Sequence, residues 1–127
     1  YRRQRQMCIR DREGYIIRSY KVKHTTETYG FVIEDKENKK IGFTGDSCLC
    51  EGVEKIIKNS EVIFCDTSKL VGDHDSHMGF DNINWLLSKY VNKKIITTHM
   101  NYDTKCEISK LNNPYLIIGN DGIEINI

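Results

Sequence analysis

The chain has 127 residues, with 19 Lys+Arg against 18 Asp+Glu, 39% hydrophobic residues, nine Gly, one Pro and five Cys. That bounds it to one domain with a real core and excludes a collagen-like, linker or wholly disordered chain. No apolar run reaches the roughly 18–20 residues of a membrane span, none follows Tyr1–Gln6 to make a signal peptide, and an odd set of cysteines without a framework points to a reducing compartment, the cytoplasm.

In chain order, the first segment is basic. All six arginines fall within the first 18 residues, and residues 1–23 carry eight basic against two acidic side chains, leaving 11 against 16 for the rest. Such a terminus can serve phosphate-rich partners, and a solvated end that continues upstream is the plainer reading. Residues 1–14 receive no element. Tyr15–Lys23 is rich in β-branched and aromatic residues, and Tyr29–Glu34 and Lys40–Thr44 flank the polar turn 35–39, a hairpin signal. Glu51–Asn59 sets Val53, Ile56 and Ile57 at helical spacing, and Glu61–Cys65 reads as a buried strand. A second helix is expected over Gly79–Val91, with Phe80, Ile83, Leu87 and Tyr90 on one face and Asp81 in its first turn. Lys94–Thr98 is a short apolar strand and Asp103–Leu111 a short helix. Tyr115–Ile118 and Ile123–Ile127 are expected to close the chain as a hairpin across Asn120-Asp121-Gly122. The order β-β-β-α-β-α-β-α-β-β predicts an α/β fold (α+β by some schemes), a mixed sheet with helices on one face.

Three metal-type side chains stand just past strands: His24 after YKVK, Asp46 after KIGF-Thr44-Gly45, and His99 after KIITT. Strand ends meet on one rim of a sheet, where loops leave room for substrate. Imidazole and carboxylate are the ligands that Zn, Mn and Fe ions accept in hydrolytic sites, and a carboxylate can bridge two such ions. Singly, a His at a strand end is more often a polar loop residue, and an Asp after Gly a turn former. His74 and His77 lie in the polar loop before the second helix, with Asp81 four residues beyond His77, and either His can act as a general acid. Cys48-x-Cys50 has the wrong spacing for a zinc ribbon or redox pair, and Cys65 reads as core. Phosphate-binding, nucleophile-elbow and dinucleotide motifs are absent from the sequence, which narrows the chemistry to His and Asp.

Taken in order, four segments resemble the C-terminal half of a metallo-β-lactamase-fold hydrolase, most like the ribonuclease Z-type branch. They are Val22–Ile33 around His24, Phe43-Thr44-Gly45-Asp46-Ser47, His77 with Asp81, and Ile95–Met100 ending on His99. The resemblance spans residues from about 15 to 127 and implies an αββα sandwich of which this single partial domain, 1–127, is one half. It further implies His24, Asp46 and His99 as ligands of two divalent metals, Zn or else Mn or Fe, with Asp46 bridging. His77 would assist proton transfer, oriented by Asp81. Asp66 is a candidate supporting residue or helix cap, and His74 a spare for His77.

The family's His-x-His-x-Asp-His signature is absent, so the resemblance implies a missing N-terminal half that carries it, and weak or no metal binding by this chain alone. The Tyr start fits a chain that continues upstream. The implied activity is hydrolysis of a phosphodiester or related ester, a nucleic acid among the candidate substrates, by a metal-bridging hydroxide; lactones and thioesters are not distinguished. The rival expectation is a non-catalytic half-fold that binds a partner, such as RNA, or a second copy as a homodimer through its open sheet face.

Overall fold

The computed structural model describes residues 8–10 and 13–127. Its strands are β1 (Cys8–Arg10), β2 (Ile16–Lys23), β3 (Glu27–Glu34), β4 (Lys40–Phe43), β5 (Val62–Asp66), β6 (Lys94–Thr98) and β7 (Leu116–Ile118). Three helices follow β4, β5 and β6: α1 (Glu51–Lys58), α2 (Phe80–Lys89) and α3 (Tyr102–Ser109). The seven strands form one sheet in chain order, antiparallel from β1 to β4 and parallel from β4 to β7. Each parallel step moves the same way across the sheet, so right-handed crossovers carry the three helices to one face, as the sequence predicts.

That face holds the core. Val53, Ile56 and Ile57 of α1 and Ile83 and Leu86 of α2 are fully buried against Ile63, Cys65 and Ile95 of the central strands. Helix α1 is seated directly on the sheet because Gly30 and Gly42 lie beneath it. A Cβ on Gly42 would stand 2.6 Å from Ile56 Cγ2 and 2.5 Å from Ser60 Oγ, and one on Gly30 would stand 2.6 Å from Ile56 Cδ1. Glu51 and Glu54 in its first turn and Lys55 and Lys58 in its last complement the helix dipole.

The opposite face carries a row of aromatic rings, and among the described residues the right-handed crossovers place no helix on it. The register sets Phe31 beside Phe43 and Phe43 beside Phe64. Their rings lie 4.9 Å apart in succession, the second pair stacked within 4°. Tyr29 and Phe31 remain 43% and 36% exposed.

Two expectations change. Strand β1 forms within the basic segment 1–14, of which residues 1–7, 11 and 12 lie outside the described residues. The closing hairpin does not form. Its turn is present, with Ile123 N donating to Asn120 O at 3.1 Å, but β7 is three residues long and pairs in parallel with β6, which leaves too short a ladder for a return strand. Residues 123–127 instead lead back to the turn between β3 and β4, where Ile127 O accepts from Lys39 Nζ at 2.9 Å.

Candidate metal centre

The alternation of strand directions brings the C-terminal ends of β2, β4, β5 and β6 to one rim. His24 follows β2, Asp46 stands three residues past β4, Asp66 ends β5 and His99 follows β6. Left-handed backbone turns present two of these groups: Gly45 has φ +65° and His99 φ +58°. For Gly45 this conformation is free of strain, whereas for His99 it costs about 1–2 kcal/mol, which the surrounding structure must hold.

Short polar links lock the strand ends together. Thr44 Oγ1 accepts from Asp66 N at 3.0 Å, joining β4 to β5. Ser47, fully buried, accepts from Lys23 N at 3.1 Å through its hydroxyl and donates its backbone N–H to Asp66 Oδ2 at 3.0 Å, which ties the loop after β4 to both β2 and β5. Thr67 N donates to Thr98 O at 2.9 Å and Thr98 Oγ1 donates to Cys65 O at 3.0 Å, joining β5 to β6.

Within this frame one ligand atom each of Asp46, Asp66, His77 and His99 lies within 4.8 Å of the other three. His77 arrives from the loop between β5 and α2. Its Nδ1 is 2.7 Å from Asp66 Oδ2, and His99 Nδ1 is 3.1 Å from Asp46 Oδ1. His24 stands beside this group, its Nδ1 2.9 Å from Ser76 O. The three rings form a row with centroids 4.9 Å (His24 to His77) and 5.2 Å (His77 to His99) apart, each pair edge to face. A carbonyl oxygen only accepts, so Nδ1 of His24 carries a hydrogen, and in the neutral ring Nε2 then keeps its lone pair.

The two carboxylates differ in environment. Asp66 is 1% exposed and accepts from Ser47 N, Ser68 N and His77. Burial pushes its carboxyl up, and the bonds from His77 and Ser47 pull it back. With both oxygens engaged by N–H groups, Asp66 suits the orientation of His77 better than metal ligation. The Asp46 side chain is 48% exposed, with His99 as its hydrogen-bond partner, and remains available to a cation. Carboxylate and imidazole together form a donor set that fits Zn, Mn or Fe.

The orienting residue anticipated from sequence is thereby corrected. Asp81 does not reach His77: from the first turn of α2 its Oδ1 accepts from Gly72 N and Asn82 N, both at 2.9 Å, which closes the loop onto the helix. Asp66 holds the imidazole instead, because the end of β5 lies against the His77 ring. His74, the spare for His77, is exposed and outside the cluster. Ser47 went unread as a structural link; its place directly after Asp46 in Gly-Asp-Ser was the available signal.

A mixed sheet covered by helices on one face, with His and Asp side chains gathered where its strands end, is the architecture of a metallo-β-lactamase fold, and nearly the whole chain matches about half of that fold. Among solved structures it is similar to the metallo-β-lactamase fold protein YhfI from Bacillus subtilis (14% identity, TM-score 0.73, 92% of this chain and 51% of that one). It is also similar to a diphosphatase of the PhnP family (19%, TM-score 0.75, 99% and 48%) and to the short form of human tRNase Z (17%, TM-score 0.67, 96% and 48%). The chain therefore spans about half the length of these three proteins. No protein-family model and no curated protein matches the sequence. Among the described residues no helix is long and apolar enough to cross a membrane.

Proposed function

We propose that the chain is the C-terminal half of a metal-dependent hydrolase of phosphodiester or related ester bonds, working in the cytoplasm. The observation that carries this reading is the convergence of Asp46, His77 and His99, with Asp66 behind them, at one rim of the sheet. His24, Asp46 and His99 would hold two divalent metals together with an upstream segment carrying His-x-His-x-Asp-His. Zinc is the first candidate, manganese or iron the alternatives. When bound, such ions lower the pKa of water and supply positive charge to the ester oxygens.

The chain's own residues account for the remaining chemistry. His77, held at Nδ1 by Asp66, keeps Nε2 as its working nitrogen; as imidazolium it carries a proton there and gives it to the leaving oxygen. Asp66 stabilises that charge and fixes the ring's rotation. Asp46, more exposed than Asp66, is the carboxylate open to bridging. The upstream half also covers the aromatic face of the sheet, in the manner of a sandwich.

The full-length protein with added Zn²⁺ or Mn²⁺, assayed on generic phosphodiester, lactone and thioester substrates, tests the reading. Asp46→Ala should abolish turnover, and His77→Ala should lower kcat by about 10²–10⁴-fold. Loss in the first variant and full activity in the second would leave the metal role and remove the acid role from His77. Elemental analysis of the 127-residue chain should find little or no metal; two equivalents bound would overturn its status as half a site. The exposed Tyr29 and Phe31 favour one second reading, a non-catalytic module that pairs this face with a partner or a second copy, and it gains if the native chain lacks the upstream motif.

A further inference from the structure

The loop between β5 and α2 contains an aspartate that no catalytic role uses, yet its carboxylate is the most heavily engaged group near the rim. Asp73 Oδ1 accepts from the backbone N–H groups of Asp75 (3.1 Å), Ser76 (2.6 Å) and His77 (2.9 Å). Its Oδ2 accepts from Ser76 Oγ at 2.6 Å and from Lys69 Nζ at 2.7 Å. Its own N–H donates to His77 O at 3.0 Å, which closes residues 73–77 into a ring. Two bonds leave that ring for the rim: Ser76 O accepts from His24 Nδ1, and His77 Nδ1 bonds Asp66. One carboxylate thus shapes the five-residue segment on which two site histidines, 53 positions apart in sequence, both depend.

We propose that Asp73 is a positioning residue, which fixes His24 as its Nδ1–H tautomer by holding Ser76 O in place and aims His77 at Asp66. This inference rests on the reading of His24 and His77 as site residues for its functional meaning, but its physical content does not need it. The carbonyl of Ser76 selects the tautomer because it can only accept, and so leaves the Nε2 lone pair of His24 for a cation. Without the Asp73 carboxylate, three backbone N–H groups lose their common acceptor and the Ser76 carbonyl is no longer constrained to face His24.

Long-range ¹H–¹⁵N correlation of the imidazoles in the metal-free full-length protein, at a pH of about 8.5, reads the tautomers directly. The expected wild-type pattern has the hydrogen on Nδ1 of His24. Asp73→Ala should convert His24 toward the Nε2–H form, and Asp73→Asn, which keeps an acceptor for the three N–H groups, should restore much of the wild-type pattern. An unchanged His24 pattern in a folded Asp73→Ala protein overturns the proposal. Should that variant fail to fold, the double variant Lys69→Met, Ser76→Ala strips only the Oδ2 partners. A partial shift of His24 then supports the proposal and no shift overturns it. In the metal-loaded protein, Asp73→Ala should lower kcat about 10-fold with KM little changed, in the range of other residues that orient metal-binding histidines. If the tautomer shifts while wild type turns over no ester, the functional reading fails and the positioning role stands.

Discussion

The two faces of the sheet are built from the same strands and to opposite specifications. Under the helices, β3 and β4 present Gly30, Val32 and Gly42, and β5 and β6 present Ile63, Cys65 and Ile95, so small residues receive α1 and branched ones fill the gaps. On the other face, one residue along, β3, β4 and β5 present Tyr29, Phe31, Phe43 and Phe64, of which the three phenylalanine rings pack in succession. Alternation along a strand makes this separation automatic. What differs is exposure: the residues under the helices are buried, whereas Tyr29 and Phe31 on the second face are not.

Substitutions separate the two faces by size. Leu86→Ala, on the buried side of α2, should cost about 2–5 kcal/mol in urea unfolding. Gly42→Ala should cost about 1–3 kcal/mol, because a methyl group there drives α1 off the sheet. Phe43→Ser, on the open face, should cost less than either in the 127-residue chain and reduce any self-association seen by light scattering. In the full-length protein the same change should approach the roughly 3–5 kcal/mol of a buried Phe. Equal losses in the two contexts would mean that no second layer covers this face.

The covered face was legible in the sequence because it is written in local spacing. Val53, Ile56 and Ile57 mark α1, and the placement of His24, Asp46 and His99 just past apolar strands marks the rim. What the sequence hid depends on contacts across the chain. Asp66 and His77 meet because the loop between them folds over the end of β5, whereas Asp81 is nearer His77 in sequence and bonds Gly72. The bond from His24 to Ser76 O, 52 residues apart, has no local signature at all. Strand β1 is hidden by the basic residues around it: pairing with β2 needs only backbone groups, which a basic composition conceals. The Asn-Asp-Gly signal predicts the turn that forms but not the hairpin, since a turn fixes a reversal and not the partner that a returning strand requires.

The smallest expected effect concerns two aspartates of the rim that titrate in opposite senses. Bonds from Lys69, Ser76 and the His77 backbone hold the Asp73 carboxyl well below the usual carboxylate range, while burial holds Asp66 above it. For Asp73 the unfolded chain binds the proton more tightly, so its contribution to stability is present above the unfolded value of about 3.9 and is lost as pH falls below it. For Asp66 the folded chain binds the proton more tightly, so its contribution is greatest below that value and shrinks as pH rises through the folded one. The two slopes therefore have opposite sign and adjoin at the unfolded value, Asp73 acting below about pH 4 and Asp66 above it. Asp73→Asn removes only the first, so on acidification below about pH 4 the urea midpoint of that variant should fall less than that of wild type. A steeper acid loss in Asp73→Asn would mean that Asp73 is not the carboxylate whose ionisation the loop stabilises, and that the polar ring of residues 73–77 is held by its backbone alone.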